Sequence, residues 1–121
     1  MTMQKANLNE KFDLIDEYWQ PRVAGELNGQ QIKIAKLKGE FIWHHHENED
    51  EFFMVIKGNL KIALPEQEIS LNEGEFFIVP RGVEHKPVAD KEVWVMMFEP
   101  IGTLNTGNVR SELTKEELEN I

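Results

Sequence analysis

Hydrophobic and polar positions along the chain change period near Arg22. Before it, Phe12, Ile15 and Trp19 recur at helical spacing behind Asn9, a candidate N-cap, so a short amphipathic helix is predicted from Asn9 to Trp19, ended by Pro21. After it, runs of five to eight residues rich in β-branched and aromatic side chains alternate with turn signals. Asn28-Gly29 and Gly58-Asn59 read as tight hairpin turns, and Pro65-Glu66-Gln67, Asn72-Glu73-Gly74, Pro80-Arg81-Gly82 and Ala89-Asp90-Lys91 as loops or turns. The predicted strands are 22–27, 30–38, 41–46, 51–57, 60–64, 67–71, 75–79, 84–88 and 92–98. Many short strands with regular turns specify an all-β sandwich or barrel.

Three of these strands, Phe52 to Ile56, Phe76 to Val79 and Val93 to Phe98, are apolar at every position. A strand with one wet face alternates, so a continuous run implies cover on both faces. A second copy of the chain would supply it, and a homodimer is the expected assembly; the alternative cover is the N-terminal helix. Beyond Pro100, residues 101–110 are rich in Gly, Thr and Asn and read as an extended loop. Ser111 to Ile121 reads as a short helix, with Thr114 and Glu117 at capping-box spacing. The expected organisation is one domain over 1–121: an arm (1–21), a barrel (22–99) and a C-terminal loop with a short helix (100–121).

The 121 residues match one domain of ordinary size. A net charge of −9 disfavours nucleic acid and anionic membranes and favours a cation. Met1 to Glu10 is polar, no apolar stretch is long enough to span a bilayer, and cysteine is absent, so a cytoplasmic location is expected. The missing cysteines also exclude thiol catalysis, iron–sulfur clusters and Cys-type zinc sites.

Candidate chemistry concentrates in the histidines. His44 and His46 are two apart on a predicted strand, so they leave one face with backbones about 7 Å apart and their imidazoles can converge on one ion. His45 and Trp43 point the other way. Glu51 follows past a polar turn, with Asp50 as its rival, and His85 arrives from a distant hairpin. Three imidazoles and one carboxylate suit a single divalent transition metal, Fe, Mn, Ni, Zn, Co or Cu, better than calcium or magnesium. Four protein ligands would leave coordination positions for a substrate.

These residues also resemble a known family. Trp43-His44-His45-His46, Asp50-Glu51-Phe52-Phe53 and Val55-Ile56-Lys57-Gly58 are similar to the first cupin motif; Gly74, Pro80, Gly82 and His85 are similar to the second. Gly39 sits one residue closer to the first histidine than the usual pattern, and Ala89 stands where the family often has Asn. The resemblance implies a jelly-roll barrel with a metal near its wide mouth, held by His44, His46, Glu51 and His85. Small cupins with a tail like Glu99 to Gly107 are often labelled mannose-6-phosphate isomerase-like, but no basic cluster suited to a phosphosugar lies near either motif.

A metal-dependent oxygenase, isomerase, epimerase or lyase acting on a small molecule is the leading functional expectation. A non-catalytic receptor for a small acid or sugar is the alternative. What separates them is an acid or base beside the metal: His45 faces away, Tyr18 lies in the predicted helix, and Lys36 or Lys38 reaches the mouth only in one register.

Overall fold

A computed structural model describes residues 3–121. The chain forms α1 (Leu8–Phe12), then β1 (Arg22–Leu27), β2 (Gln30–Glu40), β3 (Glu51–Lys57), β4 (Leu60–Ala63), β5 (Glu68–Leu71), β6 (Phe76–Val79), β7 (Lys86–Pro100) and β8 (Glu119–Asn120). No helix among the described residues is long and apolar enough to cross a membrane.

All strand pairings are antiparallel except that of β8, which runs parallel to β1. β7 is the common neighbour, pairing with β2 over most of its length, with β4 through Lys86 to Val88, and with β3 through Trp94 to Phe98. β5 extends the β4 side and β6 the β3 side, which gives two sheets sharing bent central strands. This is the expected all-β jelly-roll. The Asn28-Gly29 turn has φ of 51° and 78°, the positive pair that suits the right-handed twist of a two-residue hairpin.

Several predicted elements take a different form. Residues 84–88 and 92–98 are one strand, because Ala89-Asp90-Lys91 is absorbed as a bulge: Val93 pairs with Leu37 and Ala89 with Gly39, four positions against two. Residues 41–46 do not join a sheet; only His44 bridges, to His85. The N-terminal helix is shorter than predicted and starts behind Asn7, whose Oδ1 accepts the Glu10 N–H at 3.0 Å. The predicted helix over 111–121 is absent. Thr114 Oγ1 accepts the Ser111 N–H and pairs with Thr106 Oγ1, so it closes a turn, and the chain then lays Glu119–Asn120 beside β1.

Alternate residues of the central strands fill the interior: Ala35, Leu37, Phe53, Val55, Val95 and Met97 belong to one buried cluster. On the opposite face, Phe12 stacks on Trp94 at 4.7 Å, and Phe12, Ile15 and Ile34 form a second cluster against Ile56 and Met96. The arm therefore covers part of the outer face, as the alternative expectation had it. Phe76 and Ile78, at the β6 edge of that face, remain 58% and 48% exposed.

Candidate metal centre

The segment after β2 is extended and tied at both ends of the histidine triplet. Phe41 N–H donates to Pro87 O at 3.0 Å, and His44 and His85 exchange both backbone hydrogen bonds, at 3.0 and 2.9 Å. That bridge sets the two rings side by side, with centroids 4.3 Å apart. Gly82 N–H donates to His46 O at 2.8 Å, so the Pro80-Arg81-Gly82 turn holds the far end. Extended backbone preserves the side-chain alternation even without a sheet. His44 and His46 are buried, while His45 turns outward to Glu84 and Glu47, which raise its pKa.

The four predicted residues meet. One ligand atom from each of His44, His46, Glu51 and His85 lies within 4.8 Å of all the others, and all four side chains are buried. Glu51 lies between two imidazoles: its Oε1 is 3.1 Å from His85 Nε2 and its Oε2 is 3.3 Å from His46 Nε2. Asp50 points elsewhere, taking the Arg81 N–H at 2.9 Å at the surface, so burial selects Glu51 over its rival.

Ring orientation is set by the backbone. His44 Nδ1 lies 2.9 Å from Ile42 O and His85 Nδ1 2.9 Å from Val83 O. A carbonyl can only accept, so each Nδ1 carries a proton, and each ring is turned with its Nε2 toward the site. His46 has no such anchor. Both its ring nitrogens are buried without a hydrogen-bond partner, and Glu49 Oε1 stands 4.0 Å from its Nδ1. The 3.3 Å approach of its Nε2 to Glu51 is close in distance but not aligned for a hydrogen bond.

A divalent transition metal fits this group. Bonds of about 2.1 Å put octahedral donors about 3.0 Å apart when adjacent and about 4.2 Å when opposite, so closing the widest observed gap needs about half an ångström. His46 Nε2, buried, orphaned and on the Glu51 side of its ring, is the polar atom that such an ion would satisfy. Electrostatics agree. Burial, then the His85 charge, lower His44 to about 4, so it is neutral and ready to coordinate at ordinary pH. Burial would raise Glu51, yet the imidazoles of His46 and His85 beside it hold it well below the usual carboxylate range. Burial would lower His46, but the Glu51 carboxylate raises it on balance.

Two further charged side chains belong to the site and were not singled out from the sequence. Lys33 and Glu99 are both buried, with Lys33 Nζ donating to Glu99 Oε1 at 2.8 Å and to Thr103 O at 3.2 Å. Burial, then the nearby Glu51 charge, push Glu99 up to about 8 against the pull of Lys33. The signal was strand parity: Lys33 shares the inward face with Ala35 and Leu37, and Glu99 shares it with Met97. The lysines considered instead lie outside, Lys36 over the Trp94 ring at 5.3 Å and Lys38 exposed.

The loop over 101–110 is a strap across the site. Asn108 N–H donates to His45 O at 3.0 Å, and Asn108 Oδ1 accepts the His45 N–H at 2.9 Å. Gly107 lies so close that a Cβ there would be 2.1 Å from His45 O and 3.2 Å from His44 Cδ2.

Comparison with known proteins identifies the fold and the family. A cupin-2 domain containing protein from Shewanella frigidimarina NCIMB 400 superposes with a TM-score of 0.78 at 47% identity, over 78% of this chain and 93% of that one. Protein NMB1881 from Neisseria meningitidis superposes with a TM-score of 0.73 at 28% identity, over 80% of this chain and 99% of that one. The Bacillus subtilis (strain 168) protein YdbB is 34% identical over 62 residues, 50% of this chain. The chain spans about half the length of that curated relative, 55% of it. The family model described as a cupin domain matches residues 32–99, which hold β2 through most of β7 and all four converging side chains. On that match, over more than half of its length, the protein belongs to the cupin domain family.

Proposed function

We propose that the protein is a metal-dependent enzyme acting on a small molecule, of dioxygenase, isomerase, epimerase or lyase type, with one divalent transition metal held by His44, His46, Glu51 and His85. The observation that carries this reading is the convergence of four buried donors beside a cavity. When bound, such a metal supplies Lewis acidity toward a coordinated substrate or, if redox-active, activation of dioxygen. His44 and His85 are pre-oriented by their backbone acceptors, which lowers the cost of assembling the site. Glu99, buried and paired with Lys33, is the acid or base that this reading assigns to distinguish an enzyme from a receptor.

Elemental analysis of tag-free protein tests the metal. Wild type is expected to carry about one transition metal per chain and His46→Ala close to none; equal, near-zero content in both would sink the assignment. Dioxygen uptake by the iron, manganese and nickel forms with diols, thiols and flavonoids tests the oxygenase branch. Metal without turnover of any substrate class would leave a binding protein.

Two properties accompany this reading. A homodimer would bury the outer-face patch of Phe52, Met54, Phe76 and Ile78, and Phe76→Lys is expected to shift the sedimentation coefficient to that of a monomer. A cytoplasmic location is consistent with the absence of cysteine.

A further inference from the structure

Beyond His44 and Glu51, the barrel interior opens into a small cavity. Its wall is mainly apolar, built from Trp19, Leu37, Phe41, Phe53, Pro87 and Met97. Trp19 and Phe41 stack at 4.9 Å and give one side a flat aromatic surface. Trp19 reaches that position through a backbone φ of 61°, with its indole N–H donating to Lys38 O at 2.8 Å.

Lys33 and Glu99 interrupt this apolar lining, and each is 2% exposed. The ammonium is already engaged, with Glu99 Oε1 and with Thr103 O. Glu99 Oε2 is engaged with nothing and is buried. Asn105, which also lines the cavity, has both ends of its amide in use, donating to Leu113 O and accepting the Lys115 N–H. The cavity therefore offers one free oxygen on a wall that otherwise favours hydrocarbon. A barrel needing only to fold would do as well with an apolar pair in place of Lys33 and Glu99, since a buried ion pair adds little stability over well-packed hydrophobic residues.

We propose that this cavity binds a small, uncharged, mostly apolar molecule carrying one hydroxyl group, a simple phenol being the type, with the hydroxyl paired to Glu99 Oε2. This deepens the reading of the same site as a small-molecule centre and rests on it. A hydroxyl both donates and accepts, so it can serve Oε2 whether or not the carboxyl holds a proton. In the metal-free protein, a ligand carboxylate or phosphate would face Glu99 and Glu51 with the Lys33 ammonium already paired. A sugar would bring several hydroxyls into a space with one open partner, and each remaining hydroxyl would lose its water without replacement.

Calorimetric titration of four probes into metal-loaded and metal-free protein tests this. The probes are 4-methylphenol, toluene, 4-methylbenzoate and mannose 6-phosphate. Wild type is expected to bind 4-methylphenol about tenfold to a hundredfold more tightly than toluene, the range for one hydrogen bond to an ionisable partner, and to bind the two anions more weakly still. Glu99→Leu should bring the two neutral probes within about threefold of each other. That variant leaves Lys33 unpaired, so Lys33→Met/Glu99→Leu, which replaces the pair by apolar side chains, is measured beside it and should show the same collapse.

Wild type that binds no probe, shows no preference for the phenol over toluene, or prefers either anion in its metal-free form overturns the proposal. So does a preference for the phenol that survives in the double variant. Because discrimination is assigned to Glu99, it should hold in the metal-free protein; a protein that never takes up metal but separates the two neutral probes would retain this inference while losing the metalloenzyme reading.

Discussion

The contact between the C-terminal strap and the histidine segment can be tested with one methyl group. In Gly107→Ala the new Cβ would stand 2.1 Å from His45 O, well inside the 3.0 Å below which Cβ atoms are not found. Relief needs a displacement of about 0.9 Å. Applied to the 3.0 Å bond from Asn108 N to His45 O, it gives about 3.9 Å, outside hydrogen-bonding range, and the reciprocal bond to Asn108 Oδ1 goes with it. Two such bonds contribute about 1 kcal/mol each. Placing alanine at a φ of 57° adds about 1 kcal/mol, for a total near 3 kcal/mol. Gly74→Ala is the control, because φ there is 82° but nothing lies within 4 Å of the added Cβ, so only the backbone component of about 1 kcal/mol applies. Urea denaturation of the two variants should differ by about 2 kcal/mol. Metal affinity follows if the strap holds His44 in its ligating position: releasing 2 kcal/mol of support corresponds to as much as a thirtyfold loss, read by competition with a chromogenic chelator. Equal stability of the two variants with unchanged metal affinity in Gly107→Ala would refute the strap as a support of the site.

Other consequences follow from the same geometry. His44 is lowered from 6.5 to about 4 by burial and the His85 charge, so the unfolded chain binds its proton more readily than the folded one. The His44 component of the stability of chelator-treated protein, read as the difference between wild type and His44→Gln, should therefore fall by roughly 3 kcal/mol as pH drops from about 6.5 to 4; identical pH profiles for both proteins would exclude it. Bound metal competes with protons for the same nitrogens and should leave below about pH 6; retention at pH 4.5, measured after gel filtration, would contradict three histidine ligands. Glu49→Gln removes the carboxylate nearest His46 Nδ1 and should weaken metal binding about tenfold, whereas Glu47→Gln should not; equal effects would assign both to general charge. Lys33→Met should cost about 3 to 5 kcal/mol by stranding Glu99, and adding Glu99→Leu should restore most of it; a single variant as stable as wild type would show that the pair is not coupled.

Much of the site was legible because it depends on alternation, which an extended chain obeys whether or not it is in a sheet. His44 and His46 converge and His45 does not, although the predicted strand over 41–46 is reduced to a single bridge. Turn chemistry was legible too, but its meaning was not. Ala89-Asp90-Lys91 marks a bulge, since the partner strand β2 continues past it and leaves Asp90 free to meet Lys61 outside. Helical signals failed at both termini for a tertiary reason. Phe12 and Ile15 are drawn onto the outer face, Trp19 is turned toward Phe41, and a helix running from Asn9 to Trp19 could not place all three. Thr114 has the spacing of a cap, yet its hydroxyl is committed to Thr106, 8 residues back along the chain and adjacent only after folding. Lys33 and Glu99 were passed over because a lone charge in an apolar run reads as a surface residue until its partner, on another strand, is known.

The single long strand β7 has a consequence for how the molecule is made. Gln30 pairs with Pro100, so the longest strand pairing begins between residues 70 positions apart. A ribosome adding about 5 to 20 residues per second needs roughly 2 to 9 seconds to travel from Lys57 to Pro100, and during that interval the apolar β3 has no central neighbour. Barrel closure therefore comes as one late event in synthesis. His85 reaches the exit tunnel just ahead of this strand, so the nascent chain acquires its fourth candidate ligand and its final sheet together. Ions captured earlier would meet only His44, His46 and Glu51 on an unfinished scaffold, which makes the order of translation a filter on when metal can be held.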